Sequence, residues 1–241
     1  VAFCWSEDSS ERLADGEAEV SVRTIETDDS TYTYERVLLN SEEAVHDAFM
    51  DYYKECDPDI LVAHAIMWAD LPHMVRRMKN FRQLSPLNRV RKPKKTKRGY
   101  DYTDQPITGK LCFDTAAPYE SGTGFERVWK DSGNPQLASR KLDFIAKELG
   151  YGGKFDMDVF TGWYERFDDY VDYCMQDTVL VKKIDEDKHV LEFFLSLQRL
   201  CGVMFASCHN VTRFARGLLS RRTHWKIPSR HLGEKEEFQG A

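Results

Sequence analysis

No apolar run in the 241 residues approaches the roughly 20 needed to span a bilayer. The amino terminus also lacks the basic, then apolar, then small-residue order of a signal peptide. The expectation is an intracellular protein, in cytoplasm, nucleoid or nucleus, that is neither secreted nor membrane-embedded. No C-x-x-C pair occurs among the six cysteines, Cys4, Cys56, Cys112, Cys174, Cys201 and Cys208. That excludes the common zinc frames and leaves reduced thiols as the default. Internal repeats are missing, which excludes solenoids and propellers. Net positive charge is missing too: 34 Lys and Arg against 40 Asp and Glu give −6. Such a chain does not coat nucleic acid indiscriminately, although a local basic track is still allowed. What is present, 41% hydrophobic and 31% charged residues, suits one large or two small globular domains with a substantial core. The chain opens at "VAFCW" with no initiator methionine, already strand-like, and so reads as a piece of something longer.

"VAFCW" reads as a buried strand, and "EAEVSVRTIETDD" and "YTYERVLL" alternate like an antiparallel pair. "SEEAVHDAFMDYYKEC" reads as a helix. Ser41 suits its N-cap, acids fill the first turn, and Ala44, Ala48, Phe49 and Tyr52 or Tyr53 make an apolar face. "DPD" breaks that helix, and "ILVAHA" alternates too little for an exposed sheet, as a central strand would. "DLPHMVRRMKNF" opens a second helix with Pro72 in its first turn. Residues 82–100, "RQLSPLNRVRKPKKTKRGY", have few apolar anchors and suit a loop or protruding hairpin. "GKLCFDTAAPY" returns to a strand ending at Asp114. In "ASRKLDFIAKELGYGG", Leu142, Ile145 and Leu149 share a helical face and Gly150 marks the end. A long amphipathic helix, "YERFDDYVDYCMQDTVLVKKIDED", follows, then "HVLEFFLSLQRLCGV" and "VTRFARGLLSRR". Strands first, helices between and then dominating, give an α/β or α+β chain with a helical carboxyl-terminal portion.

Two acids stand out by context. Asp70 lies just past the apolar run, where open α/β sheets place ligand sites. It suits equally well an N-cap for the helix that follows. Asp177 lies four residues after Tyr173, so the two share a helical face, and the hydroxyl there can hydrogen-bond a water or phosphate oxygen. A solvated face accounts for an Asp in that position just as simply.

Taken in order, these stretches resemble the 3′→5′ proofreading exonuclease domain of family B DNA polymerases. "DPDILVAHAIMWADLPHMVRRM" (residues 57–78) is similar to the second exonuclease motif, an Asp-Pro-Asp-Ile turn and strand leading to Asn-x-x-x-Phe-Asp, a Pro and a helix. "YVDYCMQDTVLVKKI" resembles the third motif, Tyr-x-x-x-Asp. Between them, "ITGKLCFDTAAPY" resembles a strand with a Gly-(Lys/Arg)-x-x-x-Asp pattern, and "NPQLASRKLDFIAKELGYGGK" the helix after it. "LQRLCGVMFASCHNVTRFARGLLSRR" resembles the helices leading out of the domain, and "EEFQGA" falls where the family links to its palm.

The resemblance implies a ribonuclease-H-like mixed sheet flanked by helices, with the exonuclease domain over 1–190 and a helical segment over 191–241. It implies hydrolysis of single-stranded DNA 3′ ends by two divalent cations, Mg²⁺ or Mn²⁺, roughly 4 Å apart. It also makes the palm domain of a parent polymerase a partner. Asp70 and Asp177 would be metal ligands, and Tyr173 would orient the attacking water.

The departures carry weight as well. The family's first motif, Asp-x-Glu on a strand, is expected just upstream of Val1, which would leave these residues inactive or impaired. "TIET" imitates that motif with Thr24 for Asp, and Glu26 there reads as an exposed hairpin position. Ala65 stands where the family has Asn and Ala69 where it has Phe. His64 beside them suits a structural histidine at the strand end, or a polar contact in place of the Asn. Seven Lys or Arg fall between positions 89 and 98, either a track for a DNA backbone or a solvated hairpin. Trp5, Trp68, Trp129, Trp163 and Trp225 read as packing groups rather than base-stacking ones. A second function therefore stays open: a catalytically inactive ribonuclease-H-like module for DNA binding or domain architecture. A third is an RNA exonuclease of the same superfold, which the helices after Asp177 disfavour.

Overall fold

The computed structural model describes residues 1–26, 30–97, 99–119, 124–134, 137–151, 161–205 and 211–223. Arg98, Cys208, Trp225 and the "EEFQGA" stretch lie outside them.

Alternation dictates the first sheet. After β1 (Ala2–Trp5) and a short helix α1 (Glu7–Arg12), the chain forms β2 (Ala18–Glu26) and β3 (Thr31–Leu39). Tyr34, Arg36 and Leu38 of β3 face inward while Thr33 and Glu35 face water. β2 and β3 pair antiparallel, with Ser21 opposite Arg36 and Thr24 opposite Thr33. β1 joins the far side of β3 in parallel, giving the order β1–β3–β2. Because β1 is an edge of this sheet, "VAFCW" is half-buried and its Trp5 is exposed, where the sequence suggested a buried strand.

α2 (Glu42–Cys56) starts as expected, Ser41 accepting the Ala44 N–H at 3.2 Å with Glu42 and Glu43 in the first turn. Its most buried residues are Met50 and Tyr53, so its inner stripe is not centred on Ala44 and Ala48. It packs on β1, where Phe3 meets Tyr52 edge-on at 5.8 Å between centroids. β4 (Ile60–Ala63) leads to α3 (Asp70–Arg77). The basic segment is a hairpin, β5 (Lys94–Thr96) against β6 (Gly99–Asp101). It is preceded by a 3₁₀ turn that buries Leu84. β7 (Leu111–Asp114) then pairs with β4 in parallel, from Ile60 opposite Leu111 to Ala63 opposite Asp114. Among the described residues β4 has only β7 as a neighbour and Val62 reaches water, so it is an edge and not the central strand its sequence suggested.

Helices make up most of the rest: α4 (Gly124–Asp131), α5 (Leu142–Glu148), α6 (Gly162–Glu165), α7 (Phe167–Lys188), α8 (Val190–Cys201) and α9 (Val211–Thr223). The result is a mixed α/β chain with small sheets and a helical carboxyl-terminal part. Among the described residues no helix is long and apolar enough to cross a membrane. Among the described residues no cysteine forms a disulfide, and burial pushes the Cys112 thiol up to about 12.

Three apolar clusters hold these elements together. β7 is covered on both faces, as parallel strands usually are. Phe113 points into a cluster with Tyr119, Trp129, Ile145, Leu180 and Phe194. Cys112, the next residue back, points the other way, toward Met50, Tyr53, Leu71 and Val75. The third cluster joins the first sheet to α7 through Ile25, Tyr34, Val171 and Val179. A polar clamp reinforces it. Arg36, which is buried, pairs with Asp168. Asp172 receives Arg23 Nη2 at 2.6 Å and the Tyr34 hydroxyl. Burial alone would raise the Asp172 pKa, but the hydrogen bonds from Arg23 and Tyr34 outweigh it and hold the carboxyl below its ordinary range.

Arg23→Ala should cost about 1–2 kcal/mol and Tyr34→Phe about 1 kcal/mol, and the double variant less than the sum, since both donors share one carboxylate. The Asp172 contribution is present above the ordinary Asp pKa of about 3.9 and is lost as pH falls through the depressed folded value. Urea denaturation of the three variants across acidic pH measures both effects.

Candidate functional site

Parallel pairing places the carboxyl-terminal ends of β4 and β7 side by side, and the acids gather there. Asp114 ends β7, and its Oδ1 accepts the N–H groups of Ala65 (2.8 Å) and Ala116 (2.9 Å). The chain leaving β4 is thereby tied to the end of β7. Ala65 takes a left-handed conformation, φ 69°, and its carbonyl accepts the N–H groups of Trp68 (3.1 Å) and Ala69 (2.9 Å). This winds residues 65–69 into the start of α3.

Asp70 is consequently the first helical residue and not the N-cap. Ala69 holds that position with no side-chain cap. Asp70 is open to solvent on one side. The protein wall behind it still removes enough hydration to raise its pKa, and repulsion from Asp114 and Asp177 raises it further. Its own backbone N–H and the neighbouring His73 act in the opposite direction without cancelling the rise. Three carboxylates from three separate elements, β7, α3 and α7, therefore act on one locus.

Tyr173 and Asp177 lie one turn apart on α7, both half-buried. Tyr170 stacks on Tyr173 with ring centroids 6.3 Å apart, which fixes the plane of the Tyr173 ring. His64 serves as the structural histidine expected of a strand end. Its Nε2 lies 2.8 Å from the Arg140 carbonyl, which only an N–H can satisfy, so in the neutral ring Nδ1 accepts from Thr115 Oγ1 at 3.1 Å. Glu26 is exposed at the end of β2. Among the described residues no three His, Cys, Asp or Glu side chains close into a ready-made metal cage.

Asp114 is the member of this group that sequence reasoning left as a mere strand end. Only the register of β4 against β7 reveals its role. The tryptophans also differ from expectation: Trp129 is buried, but Trp5, Trp68 and Trp163 are exposed. No family model matches the chain, and no curated protein is similar to it.

Two outcomes follow. Because the folded-state pKa of Asp70 is raised, the stability its carboxyl lends is fully present below the ordinary Asp value of about 3.9 and lost as pH rises through the folded value. Asp70→Asn should therefore unfold at higher urea than the parent at neutral pH, the gap closing near pH ~4. Ala65→Gly should stabilise the chain by about 1 kcal/mol, since a Cβ is disfavoured at positive φ. A thermal melt beside the parent checks it.

Proposed function

We propose that this site belongs to a metal-dependent 3′→5′ exonuclease of the ribonuclease-H-like superfold, of the kind that proofreads for family B DNA polymerases. Its substrate is the single-stranded 3′ end of DNA, and α8 and α9 lead toward the palm domain of the parent enzyme. The observation that carries the reading is Asp70 at the start of α3, whose pKa is raised by the protein wall behind it and by the facing Asp114 at the end of β7 and Asp177 of α7. Like charges held together in this way cost stability unless a cation neutralises them. An all-oxygen, carboxylate donor set suits Mg²⁺ or Mn²⁺.

Asp70 and Asp177 are the residues that would hold the metal, which when bound activates a water and stabilises the leaving 3′-oxygen. The chain's own groups do the positioning. Tyr173, one turn before Asp177, holds the attacking water through its hydroxyl. Asp114 keeps the 65–69 turn in place, and with it the start of α3 and Asp70. Family chemistry calls for two further carboxylates on a strand-borne Asp-x-Glu, which none of the described strands carries. Turnover by these residues alone is accordingly expected to be weak. A second reading, a nucleic-acid-binding module without turnover, is favoured by Ala65, which puts a methyl group where the family places a DNA-contacting amide.

Metal binding is the sharper readout. Saturating Mn²⁺, at about 100 times its dissociation constant, should add about 2.7 kcal/mol to the stability of the chain. Asp70→Asn and Asp177→Asn should each abolish that gain, while Glu26→Gln should keep it. No Mn²⁺-dependent rise in the melting temperature of the unmodified chain would sink the nuclease reading in favour of the second.

A further inference from the structure

Trp68 is 63% exposed, although it sits two residues from Asp70 in a turn fixed by hydrogen bonds. Its neighbours Ile66 and Met67 pack into the core beside α3, so the turn sorts its side chains and sends the indole outward. Among the described residues the indole takes part in no ring contact and no hydrogen bond. A rigidly held, exposed tryptophan beside a cluster of acids suggests a partner with a flat face.

The basic hairpin adjoins the same turn. The Tyr102 N–H donates to the Met67 carbonyl at 2.9 Å, and the Tyr102 hydroxyl to that of Arg91 at 2.7 Å. The Arg76 guanidinium lies over the Tyr100 ring, 4.1 Å from its centroid, which locks β6 against α3. Asp70, His73 and Arg76 fall on one face of α3, spaced over about 9 Å of helix. A single surface therefore runs from Trp68 and Asp70 along α3 to the hairpin.

Many cations elsewhere are held in ion pairs. Arg12, Arg77, Lys79, Lys130 and Lys147 all pair with carboxylates. Arg89, Lys92, Lys94, Lys95 and Lys97 are exposed and make no ion pair among the described residues. Arg91 in the same tract pairs with Asp104, but a chain of net charge −6 that places these five exposed cations within residues 89–97, on the braced hairpin and the segment leading into it, has a local field suited to a polyanion.

We propose that Trp68 is a base-stacking platform and the β5–β6 hairpin a phosphate-binding rail for one single-stranded nucleic acid. The surface and its ligand class follow from exposure and charge. Only the polarity of the strand, with its 3′ end at Asp70, rests on the exonuclease reading. Stacking on an exposed indole and phosphate contacts with lysines leave different signatures, because only the second releases counterions.

The test is fluorescence anisotropy of a labelled oligo-dT with the full chain in EDTA, repeated over a range of salt. Trp68→Ala should weaken binding by roughly 5- to 150-fold at fixed salt and leave the slope of log affinity against log salt unchanged. Trp68→Phe should recover most of the loss. Lys94→Gln with Lys95→Gln should flatten the slope by about 1.4, at about 0.7 per single-strand phosphate contact. A Trp68→Ala affinity within twofold of the parent, or a slope unmoved by the lysine pair, overturns the proposal. EDTA removes metal and turnover from the measurement, so binding of the expected form without any Mn²⁺-dependent rise in melting temperature refutes the nuclease reading alone. Trimming that is indifferent to Trp68 refutes this proposal alone.

Discussion

The fold depends on one helix being wetted on neither of two sides. α7, 22 residues long, faces the first sheet with Phe167, Val171, Met175 and Val179, a stripe at i, i+4, i+8 and i+12. With Leu180 and Ile184 it enters the cluster around Phe113. Neither contact alone fixes the helix about its own axis. The ion pairs do, because Asp168 and Asp172 must meet Arg36 and Arg23 on β3 and β2. Arg36 is buried, and leaving such a guanidinium without its carboxylate is far costlier than never burying it. The rotation so fixed also decides where the candidate site is. Five residues separate Asp172 from Asp177, a turn of about 140° around the helix, so one pair of acids grips the sheet while Asp177 and Tyr173 face elsewhere.

Charge is used in two opposite ways on this molecule. At the clamp, donors satisfy the carboxylates, and the Asp172 proton is lost more easily than usual. Around Asp70, carboxylates are set against one another and the Asp70 proton is lost less easily. The first arrangement makes structure and the second withholds stability, the usual mark of a place reserved for something that binds. The unpaired cations of the hairpin are the counterpart of opposite sign. Acids crowd at the start of α3, and exposed cations crowd on the hairpin that packs beside it.

Much of this was legible in the residues because the rules involved are local. Ser41 with Glu42 and Glu43 announces a helix start, the alternation of β2 and β3 announces a hairpin, and the Lys- and Arg-rich tract with its missing apolar anchors announces a protrusion. What escaped depends on pairing between distant segments. Asp114 acquires its role only when β7 lies beside β4, and Asp70 proves to be inside its helix because Ala65 starts the winding early. Trp68 was expected in the core on composition, yet the turn that buries Ile66 turns it out. α9 shows the limit of periodicity from the other side. It has a helical pattern but buries no residue completely among those described.

The clamp also sets a schedule. Arg23 finds Asp172 149 residues later in the chain. At ribosomal speeds of 5–20 residues/s, the first sheet exists for roughly 7–30 s before its helix has been made. During that interval Ile25, Tyr34 and the Arg36 guanidinium face water, and β1 and β2 are bare strand edges. The sheet is thus a guest of whatever shields nascent chains until α7 emerges, and a stalled ribosome upstream of Phe167 would release a protein with an adhesive face.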